Sequence, residues 1–138
     1  MSGKPVILCV DDEWSGLEGR RMLLEQCGYR VLVAMNGTEA LELFSLHPID
    51  LVLLDYHMPQ MTGDAVAERM RASQPDIPIA LLSADEELPE SALRWVDAFV
   101  SKSEPPASVL QIVEHLLDLR LLFAPLARLT GGGQGHAA

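Results

Sequence analysis

The sequence predicts an α/β fold built on a parallel sheet, and three observations carry that expectation. Short apolar runs alternate with helix-period segments five times along the chain. The connections are short, and consecutive parallel strands need a crossover that a helix supplies. The third run is apolar on both faces after Asp50, as suits a central strand covered by helices on both sides.

The first strand is predicted over Pro5 to Val10, a run that ends in acid. Trp14 to Gln26 follows as a helix of spaced apolar residues, with Cys27-Gly28 as its stop signal. Tyr29 to Ala34 reads as the second strand. Asn36-Gly37-Thr38 supplies a turn and a cap, and the next helix carries Ala40, Leu41 and Phe44 on one face until His47-Pro48 breaks it. Ile49 to Leu54 is the third strand, and Gly63 to Ala72 a helix with Val66, Ala67 and Met70 in phase. Ile77 to Leu82 is the fourth strand, after which Asp85-Glu86-Glu87 leads into a weaker helix near Pro89 to Arg94. Ala98 to Val100 makes a short fifth strand. Pro105 and Pro106 open a long last helix whose buried stripe is Val109, Ile112, Val113, Leu116 and Leu117. Five such units give a doubly wound, flavodoxin-like (βα)5 sheet with strand order 2-1-3-4-5.

Composition narrows the function classes. The 138 residues fit one domain, and 49% apolar content with 22% charged residues is globular rather than disordered. A formal net charge of −10 argues against direct nucleic-acid binding, which needs clustered Lys and Arg to neutralise phosphates. The apolar stretches are too short to cross a bilayer and the N-terminus has no signal-peptide pattern, so no membrane association and a cytoplasmic location are expected. Cys9 and Cys27 belong to no Cys-x-x-Cys pair and read as buried free thiols.

Ligands of doubly wound sheets sit outside the carboxyl ends of the strands, and polar residues gather there. Strand one ends in Asp11-Asp12-Glu13, strand three in Asp55 and strand four in Ser83, while Lys102 follows strand five. Carboxylates brought together without compensation raise one another's pKa, and a hard divalent cation such as Mg²⁺ resolves the conflict. Lys102 offers a point charge for a phosphoryl oxygen, and Ser83 a hydroxyl donor. Singly, each has a plain explanation: a helix N-terminus for Asp11-Asp12, a turn for Asp55, a capping hydroxyl for Ser83, a solvated lysine for Lys102. One polar group at each of the right strand ends is hard to obtain by chance.

In these stretches the sequence resembles the CheY-like receiver domains of two-component response regulators, over roughly residues 4–120. The matching segments are Val6-Ile7-Leu8-Cys9-Val10-Asp11-Asp12 and Leu51-Val52-Leu53-Leu54-Asp55, with Met58-Pro59-Gln60-Met61-Thr62-Gly63. Leu81-Leu82-Ser83-Ala84 and Ala98-Phe99-Val100-Ser101-Lys102 complete them. The resemblance implies that Asp55 accepts a phosphoryl group from a histidine kinase or phosphotransfer protein. It implies Mg²⁺ held by Asp12 directly, by Asp11 through water, by Asp55, and by the backbone carbonyl of His57. Lys102 would pair with the acyl phosphate, Ser83 would swing towards it, and Phe99 would move inward. About Leu88 to Leu117, the fourth helix, fifth strand and fifth helix would report the change to a downstream protein. The implied protein is no enzyme beyond its own phosphorylation and dephosphorylation, and a phosphorylation-dependent homodimer is a further expectation.

The sequence departs from the family pattern at Lys102-Ser103, where proline is usual, often after a cis peptide. Without proline the cis form costs about 3 kcal/mol. His57 and Asp85 stand two residues past Asp55 and Ser83, where the family tunes phosphate lifetime; His57 either orients water or lines the rim. The organisation expected is a receiver domain over 1–122, then an apolar extension and Gly-rich tail over 123–138. That extension either lengthens the last helix or presents a self-association surface. Three other readings stand beside this one. An aspartate-based phosphatase would want a second acid where His57 stands. A flavin carrier would suffer repulsion from the clustered acids, and a pure interaction module would have no need of the acceptor-site residues. Nothing after Ala107 resembles a helix-turn-helix or a catalytic unit, so a stand-alone protein and a piece of a larger regulator or hybrid kinase are both expected readings.

Overall fold

The computed structural model describes residues 3–85 and 87–127, with side chains as far as Leu122. Ten elements alternate: β1 (Val6–Val10), α1 (Trp14–Gln26), β2 (Arg30–Ala34), α2 (Gly37–Leu46), β3 (Leu51–Asp55), α3 (Gly63–Ser73), β4 (Ile79–Ser83), α4 (Glu90–Leu93), β5 (Ala98–Ser101) and α5 (Pro106–Ala127). All strand pairs are parallel, in the order β2-β1-β3-β4-β5, as the sequence predicts.

Side-chain alternation along the strands divides the core into two layers. Leu8, Val10, Val52, Leu54, Ile79 and Leu81 face α2 and α3, which contribute Ala40, Phe44, Val66, Ala67 and Met70. Ile7, Cys9, Leu51, Leu53, Ala80 and Leu82 face α1 and α5, which contribute Leu17, Leu24, Val113 and Leu116. Every residue of β3 and β4 is buried, so neither strand has a polar face to show to water. At about 1.5–3 kcal/mol for each large apolar side chain, burial dictates that these two strands lie centrally.

β3 begins two residues later than expected and runs on through Asp55, and β4 likewise begins at Ile79 and includes Ser83. The ladder explains both shifts. Pro78 has no amide hydrogen to enter a strand. At the far end Tyr56 donates its amide to the Leu82 carbonyl at 2.8 Å, and Lys102 donates its own to Ser83 at 2.8 Å. Asp55 and Ser83 are therefore sheet residues whose backbone position is fixed.

Helix ends follow from local chemistry. The Asn36 side chain accepts from the Glu39 amide at 2.8 Å, and Glu39 Oε1 accepts from the Met35 amide at 2.8 Å, a reciprocal cap for α2. At the end of α1, Gly28 has φ +97°, its amide donates to Glu25, and Tyr29 donates back to Leu24. Gly28→Ala forces a side chain into that left-handed conformation and should lower stability by about 1–2 kcal/mol in urea denaturation. Cys9 is buried as expected, and burial pushes its thiol up to about 12. Cys27 corrects the expectation: it is exposed, because it caps α1 rather than facing the core.

At the amino end of the sheet Arg71 ties three segments together. Its guanidinium donates to the carbonyls of Trp95 and Pro75 and to Asp97, at 2.8–2.9 Å. Asp97 Oδ2 also accepts from the Ile79 amide at 2.8 Å, while the Asp97 amide donates to the Ile79 carbonyl. α5 continues beyond residue 122 to Ala127, with Leu121 and Leu122 exposed. The Gly-rich stretch 131–135 lies outside the described residues.

Candidate functional site

The register sets the site. Val10 pairs with Leu54, so Asp11 and Asp55 leave adjacent strands side by side; Ser83 pairs with Ser101, which places Lys102 beside them. One carboxylate oxygen from each of Asp11, Asp12 and Asp55 lies within 4.8 Å of the others. Asp11 and Asp55 are buried and Asp12 is exposed. Lys102 Nζ sits between two of them, 2.8 Å from Asp55 Oδ1 and 3.1 Å from Asp11 Oδ2. The Lys102-Ser103 peptide is trans.

The two buried acids differ in what compensates them. Burial works to raise both. At Asp11 it is outweighed by the Glu13 amide 3.0 Å from Oδ1 and by the charges of Lys102 and Arg20, and the carboxyl is held below its ordinary value. At Asp55 burial wins: Lys102 opposes it alone, the Asp11 and Asp12 charges reinforce it, and the pKa is pushed up to about 6. Lys102 itself is held above the ordinary lysine value, because hydrogen bonds to Asp55 and Asp11 overcome the cost of its own burial. Of the two buried acids, Asp55 is the one whose carboxyl is raised, by burial first, and Asp11 the one held low.

Arg20 escapes the sequence reading. Its Nη1 and Nη2 lie 3.3 and 3.4 Å from Asp11 Oδ2, and its side chain is only 13% exposed. The available signal was a cation on the buried stripe of α1 between Leu17 and Leu24. Arg20 and Lys102 also line a cavity of about 580 Å³ beside the acids, floored by Leu23, Leu82 and Val109.

The remaining predicted residues surround the cluster without joining it. The Ser83 hydroxyl, fully buried, accepts from the Asp85 amide at 3.0 Å. His57 Nε2 and Asp85 Oδ2 are 2.6 Å apart and span the loops after β3 and β4, both more than half exposed. Phe99 is half-buried, belongs to neither core layer, and borders a cavity of about 330 Å³ with Ile112 and His115. Among the described residues no helix is long and apolar enough to cross a membrane.

The sequence profile of the response regulator receiver domain matches residues 7–114. The response regulator MprA of Mycolicibacterium vanbaalenii is 33% identical over 131 residues, covering 95% of this chain and 55% of MprA. A probable transcriptional regulator, ycf27 of Cyanidium caldarium, is 42% identical over 82 residues, covering 59% of this chain and 32% of the relative. The chain thus spans between a third and about half of these relatives. Among solved structures, the response regulator TrrA of Thermotoga maritima, in complex with Mg²⁺-BeF, is 34% identical with TM-score 0.77, over 81% of this chain and 98% of TrrA. A CheY-like receiver domain protein from Methanospirillum hungatei gives TM-score 0.80 at 25% identity, over 86% and 97% of the two chains. With the acid cluster at the strand ends and a profile match over most of its length, the chain belongs to the response regulator receiver domain family of two-component signalling.

Proposed function

We propose that Asp55 accepts a phosphoryl group from a histidine kinase or phosphotransfer protein, and that the site holds Mg²⁺ when it does so. The observation that carries this reading is the convergence of three carboxylates at the strand ends with Lys102 Nζ 2.8 Å from Asp55 Oδ1, Asp55 being the buried acid whose other charged neighbours are acids as well. The donor set fits a hard cation, since Asp11, Asp12 and Asp55 converge as oxygen ligands. The backbone carbonyl of His57 is the fourth protein ligand in this reading. The bound ion would neutralise charge on the transferring oxygens.

This chain's own residues do the rest. A carboxylate oxygen of Asp55 forms the new O–P bond as the donor's P–N bond breaks, and the electron pair returns to the donor imidazole. Lys102, already at hydrogen-bond distance, pairs with the phosphoryl oxygens. The Ser83 hydroxyl leaves the Asp85 amide to donate to the phosphoryl group, and Phe99, outside the core layers, moves into the space this opens. Such a change is a population shift towards the state that the phosphoryl group contacts better. His57 and Asp85 tune the lifetime of the acyl phosphate from the rim. The surface of α4, β5 and α5 passes the change to a downstream protein, to a second copy, or to an output domain. No reaction on an external substrate is part of this reading, and the setting is cytoplasmic, where kinase and phosphodonor reside.

Intact mass after incubation with Mg²⁺ and acetyl phosphate tests the acceptor. Wild type gains one phosphoryl group only when the metal is present, and Asp55→Asn gains none. Failure of wild type to label with acetyl phosphate or with a histidine kinase leaves a phosphate-independent interaction module.

A further inference from the structure

We propose a second binding site, at the opposite end of the sheet from Asp55: the cavity formed by residues 4–6, 29–32 and 47–48 takes a small polyvalent oxyanion. The cavity measures about 480 Å³ and is lined by Lys4, Arg30, His47 and Tyr29, with Glu25 as its one acid. A chain with formal net charge −10 has few cations to spare. Arg20, Arg21, Arg71, Lys102 and Arg120 are all engaged in ion pairs, and Arg94 lies over the Trp95 ring. Lys4, Arg30 and Arg69 have no such partner among the described residues, and of these Lys4 and Arg30 line this one cavity.

The backbone adds a donor. The Arg30 amide donates to the Pro5 carbonyl at 2.9 Å and the Ala34 carbonyl accepts from Asp11, so residues 30 and 34 bond inward to β1. Alternation then turns the Val31 amide outward, and β2 is an edge strand with no neighbour on that side among the described residues. Glu25 does not cancel the positive charge, because Arg21 Nη1 holds it at 2.7 Å. A cation at a helix C-terminus is often explained by the dipole alone, and His47 closes α2. Here, however, no side-chain hydrogen bond from Lys4, Arg30 or His47 to a helix-end carbonyl is present among the described residues. Ammonium, guanidinium, imidazole and one amide around a cavity of this size match the oxygens of a phosphate-type or polycarboxylate ion.

Metal-free wild-type protein labelled with ¹⁵N is titrated with pyrophosphate, with citrate and with acetate at constant ionic strength. Saturable shifts of the Val31 amide and the Arg30 side chain are expected with pyrophosphate or citrate, and at least tenfold weaker binding with acetate. Whether pyrophosphate or citrate binds more tightly distinguishes the phosphate source from the carboxylate source. Lys4→Gln/Arg30→Gln should weaken binding at least tenfold with unchanged thermal unfolding, while Asp55→Asn leaves it unaltered. Shifts that fail to saturate, that centre on Asp11 and Lys102, or that persist in the double variant overturn the proposal. None of these outcomes bears on phosphoryl transfer to Asp55.

Discussion

Gly63→Ala will be less stable than the parent by about 2–3 kcal/mol, because the added methyl has nowhere to go. Its carbon would lie 2.5 Å from the Asp55 carbonyl oxygen, 2.8 Å from Leu81 Cδ1 and 3.1 Å from Tyr56 Cα. Two of these three are backbone atoms, one at the end of β3 and one in the residue after it, so relief must come from moving α3 away from β3 or from moving Asp55. The Gly63 amide, which donates to the Tyr56 carbonyl at 2.9 Å, is lost or lengthened in either case. At a few degrees per kcal/mol, a protein of this size should melt roughly 10 °C lower. Mg²⁺ affinity should fall with it. Gly19→Ala is the control: no atom lies within 4 Å of the new carbon, and helix propensity alone should make that variant more stable by up to about 1 kcal/mol. Equal stability of the two variants would show that α3 does not press on β3 as described.

Asp55→Asn should stabilise the metal-free protein above pH 6 and destabilise it, relative to wild type, once Mg²⁺ is added. The Asp55 pKa is raised from 3.8 to about 6, with burial as the leading cause. Folding therefore favours the protonated acid. The associated stability is present in full below about pH 4, is lost as pH rises through about 6, and does not return above it. A rise of that size corresponds to about 3 kcal/mol, and screening at the open end of the sheet reduces it to about 1–2 kcal/mol. Urea denaturation in metal-free buffer should find the two proteins equal at pH 4 and the variant ahead at pH 7.5. Mg²⁺ at a hundredfold excess over Kd should then add about 2.7 kcal/mol to wild type, enough to put it ahead of the variant by about 1 kcal/mol. A variant that is less stable at pH 7.5 without metal would mean that the Lys102 pair outweighs desolvation at Asp55.

Much of this was legible in the sequence because strand ends in a parallel sheet are readable places. Asp11, Asp55 and Lys102 each follow or close an apolar run, and the sheet order then forces them together. What stayed hidden depends on side-chain direction and ladder extension. Whether Asp55 and Ser83 lie inside their strands depends on amides donated by neighbouring segments, Tyr56 to Leu82 and Lys102 to Ser83, which no local pattern reveals. Arg20 was hidden because a long cation on a helix counts as surface until its partner is known, and its partner lies nine residues back, in the connection that precedes the helix. The exposure of Cys27 follows from the turn at Gly28, since a capping position faces wherever the chain reverses. The 2.6 Å contact of His57 with Asp85 joins two loops 28 residues apart, a separation that periodicity does not address.

The Arg71 hub gives the sheet a mechanical polarity. At the amino ends of β4 and β5, one guanidinium and one carboxylate pin Ile79, Asp97, Trp95 and Pro75 to one another. At the carboxyl ends, Ser83 and Lys102 are joined by a single main-chain bond and surrounded by loops. The other ties at that end are ionic, from Lys102 to Asp55 and Asp11, so the side-chain hub at Asp97 is what holds the two strands to their flanking segments. A displacement started at Ser83 would be expected to be largest where it begins, to reach Lys102 through their shared hydrogen bond, and to fade towards Ile79. Amide protection should follow the same gradient, with Ile79 and Asp97 the slowest to exchange and residues 101–104 the fastest.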